Sequence, residues 1–514
     1  MRTQKKIWLT GIALATGAVL ALSGCAAGGT EGGGGAEPGP AADQTLTIAA
    51  LQDLASFDTG ALDTGRQVQY WQPVYDTLLT VAPDGTLEAN LATEWSYNDD
   101  NTVLTLTLRD DVTFSDGEPF NAEAVKANIE HLQAGTGVSV YMVGLVDSVE
   151  VVDEFTVSIT MKAPDPAFTY YLGLVAGAMA SPAAFGTDSF ATVPVGSGPY
   201  LLDTDATIRG SEYRYVRNPD YWNAEAYPYS SIVVKPMDDL TARLNAIKSG
   251  QVNAAEVDAS VQDEADASGL TSNTIQLAWN GLIIFDRAGV LNPALGDVKV
   301  RQALNHAVDS EAIVENIYGG TGYASQQIFN KKSPAHIDEF EDAYPFDPAK
   351  AKALLAEAGY ADGFEITMPE LPGDLTQPFV TQQLADIGVT VNWEKVAPEE
   401  VVGKVLGGEY AIASFGSTSG HPWRDISKMI AAKGAWNPFG ATSPELEAAL
   451  ATVQATTGAE QDAAYQAVNK YVTDNAWFAV NYFADNIVLT DAATSTQMQF
   501  GSSVPYIRNY APVQ

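Results

Sequence analysis

The chain has 514 residues, with 27 basic and 64 acidic side chains and a formal net charge of −37 at pH 7. Proteins that bind nucleic acids need clustered lysine and arginine to neutralise phosphates, so this charge argues against a nucleic-acid-binding protein. Hydrophobic residues make up 46% of the chain, which is ordinary for a globular protein. At this length we expect two or three lobes rather than one core.

The N-terminal segment has the pattern of a secretory signal peptide. Three basic residues precede an uncharged apolar run at 7–22, and this run is shorter than the roughly 20 apolar residues that a membrane-spanning helix needs. The sequence Leu-Ser-Gly-Cys at 22–25 resembles a bacterial lipobox. The resemblance implies cleavage after residues 1–24 and lipidation of Cys25, the only cysteine in the chain. A single cysteine can form neither an internal disulfide nor a cysteine-based metal site.

Residues 25–44 are expected to form a flexible tether. They are rich in Gly, Ala, Pro, Glu and Thr and lack the apolar content that a packed core requires. A Gly-rich segment of this length spans roughly 20–25 Å on average. The lipidated Cys25 would therefore hold the folded body at the extracytoplasmic face of the cell membrane, in the periplasm if an outer membrane exists.

The first 200 residues predict mixed α and β structure. The alternating segment 45–50 predicts a strand, and residues 148–161 predict a β-hairpin. Asn121 is expected to cap a helix over 122–133. No internal repeat is visible in this part of the chain or elsewhere.

Helices and strands alternate later in the chain, which indicates an α/β lobe. Apolar spacing predicts a helix over 298–308, and Asp309 can cap the next helix. Asp347 followed by proline predicts another helix start, with Gly359 as its stop. Thr442 to Glu445 matches a capping box before a further helix. The predicted strands in this half are 276–285, 389–396 and 410–416.

The sequence gives little support to catalysis, a cofactor or a metal site. The four histidines lie far apart and form no His-x-x-x-His or His-Glu pair. The segment 415–421 has Thr418 where a nucleophile elbow needs serine, and no glycine-rich run ending in lysine could cradle a phosphate. We therefore predict a protein that is not an enzyme.

Aromatic residues in loop-like segments favour a small-molecule binding protein instead. Ligand pockets are mostly apolar and carry a few polar groups that fix orientation, although core packing is the alternative for each aromatic residue. The candidate aromatic contacts are Tyr70, Trp71, Trp279, Phe415, Trp423 and Trp436. The candidate polar contacts are Asn280, Ser417, Arg424, Asp425 and Asn437.

Seven segments, in the expected order between about 45 and 490, resemble the solute-binding proteins of ABC transporters, family 5, the dipeptide, oligopeptide and nickel class. They are "VYDTLL" (74–79), "DVTFSDGEPFNAEAVKANIE" (111–130), "GSGPYLL" (196–202), "RNPDYW" (217–222), "ARLNAIKSGQV" (242–252), "DVKVRQALNHAVDSEAIVENIYGG" (297–320) and "FDPAKAKALLAEAGY" (346–360). These motifs are typical of a scaffold rather than of ligand contacts. In the sixth segment we expect Arg301 to pair with a carboxylate.

The resemblance implies an α/β, two-lobed periplasmic-binding-protein type II (cluster C) fold with an extra subdomain inserted in lobe I. Lobe I is then expected at 45–78, 197–275 and 488–514, the inserted subdomain at 79–196, and lobe II at 276–487. The chain crosses between lobes near 275 and near 487. A solute that touches both lobes binds the closed form better, and so shifts the population toward closure.

The resemblance also implies a monomer that delivers its solute to an ABC permease with an ATPase. Peptide-binding relatives hold the ligand's amino end with an acidic residue in the stretch corresponding to 415–425. Here the usual paired aspartates are missing. Asp425 can supply such a clamp, or Arg424 can pair with a ligand carboxylate or take part in a surface ion pair. A peptide or peptide-like solute is our first interpretation; an oligosaccharide, a metal chelate and a non-transport lipoprotein receptor or chaperone remain alternatives.

Overall fold

The computed structural model of the protein describes residues 44–371 and 374–513, without the side chains of 398 and 399. The predicted signal peptide, Cys25 and the tether up to residue 43 lie outside the described residues. Within those residues, no helix combines the length and the apolar character that crossing a membrane requires.

The described residues contain both helices and strands throughout. The helices are α1 (Val68–Trp71), α2 (Ala122–Ala134), α3 (Phe168–Tyr171), α4 (Leu240–Lys248), α5 (Gln262–Ala267), α6 (Val298–Ala307), α7 (Ser310–Ile317), α8 (Pro348–Glu357), α9 (Gln377–Asp386), α10 (Pro398–Leu406), α11 (Pro422–Met429), α12 (Pro444–Ala455) and α13 (Gly458–Asp474). The strands are β1 (Thr45–Ala50), β2 (Leu79–Val81), β3 (Leu87–Ala89), β4 (Ala92–Tyr97), β5 (Val103–Leu108), β6 (Val146–Asp153), β7 (Thr156–Met161), β8 (Tyr200–Leu202), β9 (Tyr213–Arg217), β10 (Ser231–Pro236), β11 (Ala254–Val257), β12 (Thr271–Ile284), β13 (Tyr323–Ala324), β14 (Phe364–Pro369), β15 (Val389–Glu394), β16 (Ile412–Thr418), β17 (Phe478–Thr490), β18 (Thr494–Thr496) and β19 (Tyr510–Pro512).

The largest sheet has nine strands in the order β16-β12-β17-β11-β1-β10-β9-β8, with β13 also paired to β17. Its two long strands, β12 and β17, run antiparallel and form a continuous ribbon. One end of this ribbon pairs with β11 and the other with β16. The register shifts between Gln276 and Ala278, close to the first crossing between lobes that the sequence predicts. The lobe boundaries themselves stay predictions.

A second sheet lies in the stretch predicted to be the inserted subdomain. It is antiparallel, with the order β4-β5-β7-β6, and α2 packs against β6. Alternate residues of β5 and β7 are buried, since successive side chains of a strand point to opposite faces. The helix begins where expected, because the side chain of Asn121 accepts a hydrogen bond from Ala124 N at 3.1 Å.

A separate hydrophobic core lies in the stretch predicted to be lobe II. It packs α6, α7, α8 and α9 around the parallel pair β14-β15, with Val300, Leu304 and Leu384 among its fully buried residues. The predicted caps of α7 and α8 are confirmed, since Asp309 accepts from Ala312 N at 3.0 Å and Asp347 from Lys350 N at 2.9 Å.

Two local predictions are wrong. Ser443, not Thr442, caps α12, because its Oγ accepts from Leu446 N at 3.1 Å. Arg301 pairs with no carboxylate among the described residues. Its guanidinium instead donates to three backbone carbonyl oxygens, those of Asn475, Leu295 and Gly296.

Candidate functional site

The candidate site begins where β16 passes into α11. The guanidinium of Arg424 donates to Oδ1 of Asp425 from Nε (3.3 Å) and Nη2 (3.2 Å), and Nη2 also donates to the carbonyl oxygen of Thr418 at 2.6 Å. Gly420 N donates to Oδ2 of Asp425 at 2.9 Å. Both carboxylate oxygens of Asp425 are therefore occupied, while the Arg424 side chain stays 21% exposed.

The glycine in the turn before α11 leaves room for the Arg424 side chain. A Cβ added to Gly420 would lie 3.0 Å from Nη2 of Arg424, which is tighter than ordinary packing. The next residue, His421, begins the helix by accepting a weak 3.3 Å hydrogen bond from Trp423 N. Burial and the nearby charge of Arg424 lower the pKa of His421 to about 3. This imidazole is thus neutral at physiological pH.

Three tyrosines from the predicted inserted subdomain face this charged pair. Tyr141 lies in a short turn of 3₁₀-helix, and its ring packs edge-on against Tyr171 of α3 with centroids 5.7 Å apart. The ring of Tyr170 lies 5.2 Å from that of His421. Burial raises the pKa of Tyr170 to about 12, with Arg424 opposing the shift and Asp425 adding to it. The charges of Arg424 and Asp425 on α11 therefore act on the hydroxyl of Tyr170.

Two further charged groups border the site. Lys428 Nζ lies 3.2 Å from Oγ of Ser417 and 5.3 Å from the ring of Trp436. Asp165 is buried, and burial raises its pKa to about 6 although hydrogen bonds from Ala167 N–H and the Trp423 side chain lower it. Lys428 and Arg424 thus lie near two buried acidic side chains, Asp165 and Asp425.

The structure brings several predicted residues together along β16, α11 and the loop after it. Phe415 and Trp436 pack with ring centroids 4.8 Å apart. Asn280 pairs with Gly416 across β12 and β16, which places it beside the same strand. The predicted residues in this neighbourhood are Asn280, Phe415, Ser417, Trp423, Arg424, Asp425 and Trp436.

The other predicted residues lie in the protein interior. Tyr70 and Trp71 are fully buried, and their polar atoms donate to the backbone oxygens of Gln52 (2.7 Å) and Asp63 (2.9 Å). Trp279 is also buried, with its ring edge-on to Phe478. Asn437 holds its own loop by donating to the carbonyls of residues 430, 431 and 441. Their placement favours packing roles, and solute contact stays a prediction for all eleven residues.

The sequence interpretation did not name Tyr141, Tyr170, Tyr171 and Lys428, which lie near Arg424; Tyr170 and Tyr171 are each only 3% exposed. Nothing local distinguishes Tyr141 from any other loop aromatic. In the part of the chain that the structure describes, no group of three or more His, Cys, Asp or Glu side chains could hold a metal ion.

The nine-stranded sheet with its long β12-β17 ribbon, the second antiparallel sheet and the helices packed around β14-β15 define a mixed α/β protein with more than one hydrophobic core. Residues 86–435 match the family model described as bacterial extracellular solute-binding proteins, family 5 Middle. The chain belongs to family 5 of the bacterial extracellular solute-binding proteins.

Individual known proteins are also similar to this chain. The glutathione-binding protein GsiB of Salmonella typhimurium is 32% identical over 332 residues, which are 61% of this chain and 62% of that protein. The match therefore spans less than two thirds of the relative. HbpA2 from Haemophilus parasuis superposes with a TM-score of 0.81 at 23% identity, covering 92% of this chain and 100% of the other.

A dipeptide-binding protein from Pseudoalteromonas sp. SM9913, solved in complex with Met-Leu, gives a TM-score of 0.72 at 21% identity and covers 91% of this chain and all of that one. At these identities the likeness to solved structures establishes the fold. The two-lobed α/β type II fold predicted from the sequence is confirmed.

Proposed function

We propose that this protein captures a peptide or peptide-like solute between α11 and the three tyrosines Tyr141, Tyr170 and Tyr171, and delivers it to an ABC import permease. The observation that carries the proposal is the incomplete pairing of Arg424. Its Nη1 has no acceptor among the residues that the structure describes, and the side chain is still reached by solvent. A guanidinium edge of this kind binds carboxylates well.

The occupied carboxylate of Asp425 bears on how a peptide would bind. Because Asp425 already accepts from Arg424 and from Gly420 N, a ligand amine would have to compete with both. The arrangement therefore favours recognition of a solute carboxylate by Arg424, with the exposed ring of Tyr141 contacting a side chain of the solute. The name of the relative GsiB, a glutathione-binding protein, and the Met-Leu complex support a peptide-like ligand.

Closure of the two lobes is the second part of the proposal. In this structure Gln454 Nε2 of α12 donates to the carbonyl oxygen of Pro164 at 3.0 Å, so the predicted lobe II contacts the predicted inserted subdomain. A solute that touches both sides stabilises such contacts and enriches the closed form. Lipidation of Cys25 would keep that form beside its permease and raise its effective concentration there.

Calorimetric titration of the purified protein tests the solute class. Tripeptides such as glutathione, the dipeptide Met-Leu, an oligosaccharide and a metal chelate would be compared. We expect peptide binding that weakens at least about tenfold, equivalent to about 1.4 kcal/mol, in Arg424→Gln. The matched control is Arg209→Gln, an exposed arginine that makes only long contacts to backbone oxygens, and it should bind normally.

Two outcomes would contradict the proposal. Binding of the oligosaccharide or the chelate alone would overturn the peptide assignment, and unchanged peptide affinity in Arg424→Gln would move recognition elsewhere. Delivery is tested separately, by peptide uptake in cells that produce the wild type or Cys25→Ser. Uptake that persists in the absence of the permease and ATPase genes would favour the non-transport receptor.

A further inference from the structure

A pocket of about 300 Å³ lies beside the register shift of β12, outside the site described above. It is lined by Ile275, Gln276, Leu277, Gly322, Tyr323, Asn330, Lys331 and Lys332. None of these residues belongs to the Arg424 site. The pocket is thus formed by β12 and by β13 with the loop that follows it.

One polar group of the pocket, the side-chain amide of Asn330, is a donor without an acceptor among the described residues. Asn330 is only 2% exposed, and its Nδ2 has no hydrogen-bond partner among the described residues. The orientation of this amide is fixed, because Oδ1 accepts from Lys332 N at 2.9 Å. A buried amide N–H₂ without an acceptor costs free energy comparable to a lost hydrogen bond. It therefore points to a ligand group that accepts.

Two adjacent lysines add positive charge at the same place. Lys331 and Lys332 are exposed, and neither forms an ion pair within the described ranges. Lys331 Nζ lies 4.2 Å from the ring centroid of Tyr323.

Three carboxylates act on residues of the pocket, and none of them forms an ion pair with Lys331 or Lys332 among the described residues. Asp485 accepts from Nε2 of Gln276. Glu341 accepts from Gln327 at 2.9 Å and from Ser325 at 3.3 Å. Asp84 is exposed, and Lys332 acts on it only through its charge. The lysines thus remain available to an anion that enters from solvent.

We propose that this pocket binds a small oxyanion group, a carboxylate or a phosphate, through Asn330, Lys331 and Lys332. An oxyanion supplies several acceptor oxygens, which matches one amide donor and two ammonium groups. A bound anion would link the loop after β13 to β12 at the point where the chain is expected to pass between lobes. The assignment is independent of which solute fills the Arg424 site.

Titration of the purified protein with inorganic phosphate, and in parallel with acetate, tests this pocket. Binding is measured by calorimetry and by the thermal unfolding midpoint, at constant ionic strength set with sodium chloride. We expect saturable binding of at least one anion, and the stronger of the two identifies the group. The apparent dissociation constant should rise at least about tenfold in Lys331→Gln/Lys332→Gln.

Two variants make the result specific. Asn330→Asp keeps the oxygen that accepts from Lys332 N but replaces the donor with an acceptor, so it should lose anion binding; its unfolding midpoint without anion shows how much stability the buried carboxylate costs. Lys352→Gln/Lys395→Gln removes the same charge from two exposed lysines elsewhere and should bind as the wild type does. An absence of saturable binding in the wild type, or equal losses in the pocket variant and this control, would overturn the proposal.

Discussion

The phenolic hydroxyl of Tyr221 donates a hydrogen bond to Oδ1 of Asp76 over 2.9 Å. Oδ2 of the same carboxylate accepts from Trp222 Nε1 at 3.1 Å and from Ser197 Oγ at 3.4 Å. Asp76 belongs to "VYDTLL", Ser197 to "GSGPYLL" and the two aromatics to "RNPDYW". Three family motifs that are distant in sequence therefore meet at one buried carboxylate.

Removal of this carboxylate should destabilise the protein. Asp76→Ala leaves the three donors of Tyr221, Trp222 and Ser197 without their acceptor, which should lower the free energy of unfolding by about 3 kcal/mol. Denaturant titration followed by tryptophan fluorescence measures the change. Asp188→Ala removes an exposed aspartate and should stay within about 0.5 kcal/mol of the wild type. Equal effects of the two substitutions would show that the motifs do not depend on Asp76.

The same carboxylate should make stability depend on pH. Burial raises the pKa of Asp76 to about 6, although hydrogen bonds from Trp222, Tyr221 and Ser197 lower it. Because the folded pKa lies above the unfolded value, the contribution of this group to stability is full below the unfolded pKa and is lost as pH rises through about 6.

The comparison that isolates this effect is wild type against Asp76→Asn, which cannot titrate. Between about pH 4 and about pH 8 the free energy of unfolding of the wild type should fall relative to the variant by about 2 to 3 kcal/mol. Unfolding titrations at a series of pH values, at fixed ionic strength, measure the difference. A difference that is constant across this range, or that grows with pH, would contradict the raised pKa.

Tyr141 is the tyrosine of the site with the greatest access to solvent. Tyr141 is 51% exposed, and its ring packs edge-on against Tyr171. It can therefore contact a solute, and its replacement should cost little folding stability. Tyr141→Ala should weaken solute binding about tenfold, or about 1.4 kcal/mol, and change the unfolding midpoint little. Phe346→Ala, at a comparably exposed aromatic outside the site, should bind normally. A large loss of stability with unchanged affinity would make Tyr141 a packing residue.

Local sequence signals were sufficient for the helix starts. Asn121, Asp309 and Asp347 each accept a hydrogen bond from a backbone N–H three residues later, an interaction that is complete within one turn. The length of β12 was not predictable in this way. The strand begins at Thr271 rather than at 276 because its first residues pair with β17, which lies more than 200 residues away.

The residues near Arg424 were only partly predictable from the sequence, again because contacts between distant segments decide which residues meet. Arg424 and Asp425 could be named because the resemblance placed them in a ligand-binding stretch. Tyr70 and Trp71 were named for being aromatic in a loop-like segment, yet tertiary packing buries both rings and satisfies their polar atoms. Tyr141 lies near Arg424 only because the predicted inserted subdomain packs next to α11. A local sequence pattern cannot predict a contact between two such distant segments.

Arg287 offers a last prediction, because its charge is buried without an acidic partner among the described residues. Its guanidinium carbon lies 3.9 Å from the ring centroid of Trp477, and Nη1 donates to Oδ1 of Asn437 at 3.1 Å. Nε and Nη2 find no partner among the residues that the structure describes. Burial, and then the charge of Arg301, lower the pKa of this side chain.

Arg287→Met should therefore stabilise the protein by about 1–2 kcal/mol, since an unbranched apolar side chain replaces a charge whose burial is poorly compensated. Its sulfur can still contact the Trp477 ring. Asn437 Oδ1 keeps its hydrogen bond from Ala441 N at 3.0 Å, so no buried acceptor is left unpaired. Arg301→Met is the matched control: that guanidinium donates to three carbonyl oxygens, and its removal should cost about 3 kcal/mol. Equal losses in the two variants, measured by denaturant titration, would mean that Arg287 has a stabilising partner and that its charge is compensated.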